Sequence, residues 1–372
     1  MSSITLRRCV ADPKTGKTFY DHVVDDGNAL GEFNLACHEF GVTFFRDEPI
    51  GKGNIFYHKA EGAPFSVNFI AEIGSEAQGT WMASYPKKTP PLYKLPYKDG
   101  NSKSHRMVLA LRCPTDAPTE LASTFQNAAA VYDTLRAADE KLEADNNESF
   151  EITHCVECTG DSVKDIVVLA RLEPTYEVPY ANDTAPSTPR TPRRRVSKVA
   201  STGAAENAGD TEMPAPAIKE RKIGDTYPPS VLSDHRGPCF EHDKAVVTQR
   251  DYTDANGNLI APSELYSTLT EGTLVLVTVY FATYVMKDLK TDRGDPQVDR
   301  KVYHLIIDKL KVLDRGNGEP WDPPVPTMPE RRTYSPGASP RKRARDDATD
   351  AAFNNFGKGA AQAPKRRRTG GR

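Results

Sequence analysis

The sequence predicts an α+β protein whose sheet is mainly antiparallel. Three observations predict it. LVLVTVYFATYVM, residues 274–286, is uncharged and dominated by Val, Thr, Tyr and Phe, side chains that favour the pleated backbone. Short apolar stretches separated by Gly, Pro and Asp recur through residues 1–180, the spacing of brief strands and tight turns. One long stretch, roughly 118–144, instead repeats its apolar residues at three-four spacing, which predicts a single long helix.

The run at 274–286 is too short for a bilayer span, which needs ~20 apolar residues, and it carries Thr278, Tyr280, Thr283 and Tyr284. Read with period two, one face is Val275, Val277, Val279, Phe281 and Val285, with Thr283. The other begins apolar at Leu274 and Leu276 and ends aromatic at Tyr280 and Tyr284. This predicts a long strand buried on both sides at its start and opening onto a surface later. Gly272 before it suits a turn. KVYHLIIDKLKVL, 301–313, predicts a second strand, and the charged stretch 287–300 between them predicts a long hairpin with an unpacked loop. Upstream, AVVTQRDYT (245–253) reads as a strand, DANGN (254–258) as a turn, and PSELYSTL (262–269) as a short helix with Ser263 as its cap.

In the first half, ITLRRCV, VTFFRD, NIFYHKA, FSVNFIAEI, TWMASY and MVLALRC read as short strands. The long helix follows, with Leu121, Phe125, Ala128, Tyr132, Leu135 and Leu142 on one stripe and Pro118 in its first turn. FEITHCVECTG and DIVVLARLEPTYEV add two more strands.

Apolar content is 38% and prolines number 29, so disordered segments are expected beside real cores. The organisation reads as a mixed α+β domain over 1–180, a disordered Pro/Ala/Ser/Thr linker over 181–222, a second unit over 223–325, and a disordered basic tail over 326–372. An alternative has the strands of 223–325 completing a sheet begun by the first half, with the linker as a surface insertion. Net charge is −2, but residues 331–372 carry 12 Lys and Arg against 3 Asp, which leaves −11 for residues 1–330. The N-terminal stretch MSSITLRRCVADPKTG has no apolar core of signal-peptide length, and six cysteines are too sparse for a disulfide scaffold. Together they predict a reduced intracellular compartment.

PRKRAR and PKRRR, with Arg341, Lys342, Arg343 and Arg345 and then Lys365, Arg366, Arg367 and Arg368, have the form of nuclear-import signals. A nonspecific polyanion-binding tail is the compatible alternative. Thr191 and Ser339 each precede Pro and basic residues. They read as proline-directed phosphorylation sites where added negative charge would weaken import or DNA contact.

Stacking platforms interleaved with cations suit single-stranded nucleic acid. WMASYPKKTPPLYKLPYK, 81–98, supplies Trp81, Tyr85, Lys87, Lys88, Tyr93 and Lys94, followed by Tyr97 and Lys98. The alternative is a loop whose aromatics tuck back onto the core. The hairpin supplies a second set: Tyr280, Tyr284, Lys287, Lys290, Arg293, Arg300, Lys301 and Tyr303. Cys155 and Cys158 form a C-x-x-C without a second ligand pair, and in a strand they point to opposite faces. They read as core cysteines, not a metal centre, and Cys37-His38 as a buried pair rather than a catalytic one. No catalytic motif and no cofactor site is apparent.

NGNLIAPSELYSTLTEGTLVLVTVYFATYVMKD followed by RKVYHLIIDKLKVLD resembles single-stranded DNA-binding proteins of the OB-fold type. In those, a short helix and a glycine precede a long strand, and a last strand closes the barrel. The resemblance covers about 70 residues and implies an OB-like β-barrel in the second half. The net acidic body departs from the basic barrel of that type. The chain also resembles uncharacterised, multi-copy nuclear proteins found near mobile elements. The expectation is a nuclear, non-enzymatic protein that binds single-stranded DNA or RNA and an import receptor, with no membrane partner and with self-association compatible. The alternative is a nuclear protein-interaction module docking a chromatin or mobile-element factor. A third reading, a degenerate enzyme of the mobile-element kind, is checked by nuclease and nucleotidyl-transfer assays with Mg²⁺.

Overall fold

A computed structural model describes residues 3–47, 54–87, 95–146, 150–160, 162–179, 221–286 and 299–328. Residues 180–220 and 329–372, which contain nearly all of the predicted linker and tail, the basic runs expected to act in nuclear import, Thr191 and Ser339, lie outside the described residues.

The architecture is α+β, with helices packed on a mostly antiparallel multi-stranded sheet. Four helices are α1 (Ser3–Cys9), α2 (Phe19–Ala29), α3 (Thr119–Asp145) and α4 (Leu265–Thr268). The five longest strands of the nine in the main sheet are β1 (Val67–Ile73), β2 (Val108–Arg112), β3 (Ile166–Leu172), β4 (Leu274–Met286) and β5 (Arg300–Asp314); the other four are two or three residues long. β1 pairs with β2, and β2 with β3, both antiparallel. β3 pairs in parallel with β5, β5 runs antiparallel to β4, and β4 pairs antiparallel with β1. Strands from both sides of the 180–220 segment therefore share one sheet and one hydrophobic core. Residues 223–325 do not build a sheet alone, since β1, β2 and β3 precede that segment.

The period-two reading of β4 matches its burial. Val275, Val277 and Val279 are fully buried, Phe281 nearly so, and Tyr284 is 41% exposed. Thr283 is also buried and shares a 2.6 Å hydrogen bond with the Tyr57 hydroxyl. Gly272 has φ +81°, a left-handed conformation that glycine reaches without Cβ strain. Downstream, a Cβ added at Gly316 would collide with the Glu271 carbonyl, so two backbones approach closely there.

α3 buries Leu121, Phe125, Ala128, Tyr132 and Leu135, as its three-four spacing predicts. Phe125 stacks on Phe69 of β1, centroids 5.4 Å apart. Leu142 is instead exposed, because the face meeting β5 at this end is carried by Asp139 and Glu143. Asp139 binds Arg46 at 2.8 Å and Lys301 at 2.9 Å, and accepts from the Tyr303 hydroxyl at 2.6 Å. Glu143 meets the same Lys301 ammonium at 2.6 Å.

Two expected strands are absent. ITLRRCV forms α1, whose last turn sends Arg7 and Arg8 to the same Asp314 carboxylate, at 2.8 and 2.6 Å. Arg8 is fully buried. It also binds Glu72 at 2.5 Å and donates to the Gly272 carbonyl at 2.7 Å. TWMASY makes only an isolated bridge from Trp81 to Val108. The turn at 254–258 forms as expected, with Asp254 accepting from the amides of Asn256 and Asn258. Ser263 does not cap the short helical segment. The Glu264 carboxylate accepts the Ala261 amide there instead.

Candidate nucleic-acid interface

Side chains on alternate strand positions share a face, and cross-strand partners align them. Trp81 partners Val108, Val108 partners Arg171, Arg171 partners Ile306, and Ile306 partners Tyr280. The row therefore runs from a half-exposed indole, across a guanidinium, to a half-exposed phenol. Leu109, Ala170, Ile307 and Phe281, one step along their strands from this row, belong to the core.

The centre of the row is basic. Burial and the neighbouring Arg106 both press on Arg171 and lower its pKa. Among the described residues the Arg171 guanidinium has no hydrogen bond or ion pair. Arg106 donates to the Leu172 carbonyl at 3.3 Å and sits 3.7 Å from Glu173. Tyr280 donates to Glu173 at 2.8 Å, and burial and that carboxylate raise the phenol pKa. His304 is held neutral at pH 7: burial, Arg171 and Arg106 push its pKa down to about 3. The Arg106 and Arg171 guanidiniums thus share a half-buried patch with Glu173 and, on the far side of Tyr280, Asp308; Arg171, with no partner of its own, is costly there and an external anion would relieve it.

The structure distributes the expected contact residues unevenly. Trp81 remains half-exposed, with its indole donating to the Tyr85 carbonyl at 2.7 Å and Lys87 lying 5.7 Å over its ring. Tyr280 and Tyr284 lie on the outward face of β4. Tyr85 is buried and its hydroxyl reaches the Pro324 carbonyl at 2.5 Å, so that aromatic has tucked back onto the core. Tyr97 is buried as well, in a short strand paired with Phe240–Glu241, and exposed Lys98 sits 3.5 Å from Glu241. Lys301 and Tyr303 are buried and committed to Asp139 and Glu143, which removes them from any exposed surface. Arg300 pairs with Glu151 at 2.8 Å. Lys88, Tyr93, Lys94, Lys287, Lys290 and Arg293 lie outside the described residues. Arg106, Arg171 and His304 were not among the expected contacts. The available signal was Arg171 itself, a lone cation inside the otherwise apolar strand IVVLARL.

Of the C-x-x-C pair, Cys155 is in the core, whereas Cys158 is exposed and its thiol points to the Gly160 carbonyl. Cys37 is exposed, and His38 is held between the Thr43 hydroxyl and the Glu32 carbonyl. No group of three or more His, Cys, Asp or Glu side chains among the described residues is arranged to hold a metal ion. No helix among them is long and apolar enough to cross a membrane.

A second polar cluster lies behind Trp81 and Tyr85. His105, His235 and His242 pack around Tyr176, with His235 Nε2 and His242 Nδ1 3.3 Å apart. Ser84 Oγ, His105 Nδ1, Tyr176 Oη and His242 Nε2 are buried without a hydrogen-bond partner. Burial, reinforced by His242, lowers the His105 pKa to about 4. Because this folded pKa lies below the ordinary 6.5, the unfolded chain binds more protons in that window. Stability is therefore whole above about pH 6.5 and falls as pH drops toward 4. Acidification from about pH 7 to about pH 5 should cost about 2 kcal/mol through His105. Urea unfolding at the two pH values checks this, and His105→Phe should lessen the dependence by about that amount, leaving the share of His304, whose pKa is also depressed.

No protein-family model, no curated protein and no solved structure matches the chain.

Proposed function

We propose that β1–β5 form an OB-like barrel that binds single-stranded nucleic acid on its outer face, in the nucleus. Support for the barrel comes from the order β1–β2–β3–β5–β4, with β4 returning to β1 and β3–β5 as the parallel pair. In barrels of that type the second and third strands and the flanking loops carry the ligand face. Here the second and third strands supply Val108 and Arg171, and the connection between the first and second supplies Trp81. The half-buried, unpaired Arg171 guanidinium between two aromatic platforms is the observation that carries the reading. Bases stack on Trp81 and Tyr280 while a backbone phosphate supplies the counter-charge Arg171 lacks. The barrel contributes position, and the basic tail adds a salt-sensitive electrostatic term as well as the import address.

Fluorescence anisotropy with a labelled single strand at two salt concentrations tests this. Tyr280→Ala should weaken binding by about 1–3 kcal/mol, the usual worth of one stacked base. Arg171→Gln should weaken it too and make the logarithmic salt slope shallower by about 0.7, one ion contact on a single strand. If only deletion of residues 331–372 weakens binding, the barrel face is not the site, and the protein-interaction reading takes its place.

A further inference from the structure

Beyond Tyr280 the candidate face continues into a groove of ≈ 570 Å³, lined by Asp47, Phe56, Pro64, Tyr280, Phe281 and Asp308. That is the size of a small-molecule cleft. Phe281 and Phe65 form a nearly parallel, buried floor, with rings 8° apart. Phe56 is 46% exposed and Tyr280 half-exposed, so ring surface borders the opening.

Asp308 reaches this groove because of a β-bulge. Thr278 opposes Lys309 while Val279 opposes Ile307, which leaves position 308 without a cross-strand partner. Bulges re-aim side chains and recur beside binding sites. Among the described residues the Asp308 carboxylate has no hydrogen bond or ion pair. The other acid, Asp47, is already tied to His58 at 2.5 Å.

We infer that this groove is a base pocket selecting guanine, with Asp308 as its hydrogen-bond acceptor. The inference rests on the nucleic-acid reading above and shares Tyr280 with that face. Stacking accepts any base, but an ionised carboxylate only accepts hydrogen bonds. Guanine offers two adjacent donors, N1–H and the N2 amino group, to the two carboxylate oxygens. Adenine and cytosine offer a single amino group beside an acceptor. Thymine offers one N–H flanked by two carbonyls, which the carboxylate repels. Unstacked bases are read on this same edge in single strands.

Anisotropy titrations of the full chain should compare oligothymidylate with the same strand carrying isolated guanines. Wild-type protein should prefer the guanine-bearing strand about tenfold. Asp308→Asn, a substitution at an exposed position, should abolish that preference by weakening the guanine-bearing strand, while oligothymidylate affinity holds or rises because the carboxylate no longer repels the thymine carbonyls. Equal affinity for both strands, with Arg171→Gln still weakening both, would overturn the pocket and leave the nucleic-acid face standing. Absence of binding to either strand would overturn both. Displacement of the guanine-bearing strand by an arginine- and lysine-rich peptide, lost in Asp308→Asn, would also overturn the inference by making the groove a cation site.

Discussion

Replacing Arg8 by Met should cost about 3–5 kcal/mol, the usual cost of leaving a buried charge without its partner. Arg8 has no solvent exposure, and its three guanidinium nitrogens reach three acceptors: Glu72, Asp314 and the Gly272 carbonyl. Glu72 is equally buried and keeps Arg112 at 2.7 Å and the Thr115 hydroxyl at 2.7 Å, so its loss is partial. Arg8→Lys should recover little, because one ammonium cannot reproduce the planar fork. The network joins the first helix, β1, the end of β5 and the turn before β4. Urea unfolding measures the effect, and a loss below about 1 kcal/mol, the level of an ordinary surface change, would show that the network is not a buried clamp.

The second large effect is expected at Asp139. Its carboxylate serves Arg46, Lys301 and Tyr303 while fully buried under α3. Asp139→Ala should cost about 3–5 kcal/mol, since Lys301, itself buried, then retains only Glu143. The paired change Asp139→Leu with Lys301→Met removes both charges and should recover much of that loss, as apolar replacements of buried ion pairs do. If the double variant is no more stable than Asp139→Ala, the cost lies in the Tyr303 and Arg46 contacts instead.

Periodicity made the long elements legible. The alternating faces of β4 and the apolar stripe of α3 depend on spacing alone, and both appear as read except at Leu142, where the buried acids of the last turns displace the stripe. Pairing between distant strands was not legible in the same way. Nothing local in IVVLARL says that β3 runs parallel to β5 across the 180–220 segment. For the same reason the second half read as a unit of its own. Charged residues misled where burial overrode their usual preference. RR in ITLRRCV and the Lys301–Tyr303 pair read as strand and surface, yet Arg8, Lys301 and Tyr303 are internal because acids from remote segments meet them. The candidate face was half legible. Trp81 and Tyr280 stand out as aromatics beside lysines, whereas Arg106 and His304 join them only through strand pairing and the fields they exert on one another.

Photo-crosslinking of the full chain to a single strand bearing halogenated uracils, followed by peptide mapping, tests the nucleic-acid face most directly. Crosslinks should fall on Trp81, Tyr280 or Tyr284 and should weaken with Arg171→Gln at moderate salt. Crosslinks confined to residues 331–372, unchanged by Arg171→Gln, would contradict a binding face on the sheet.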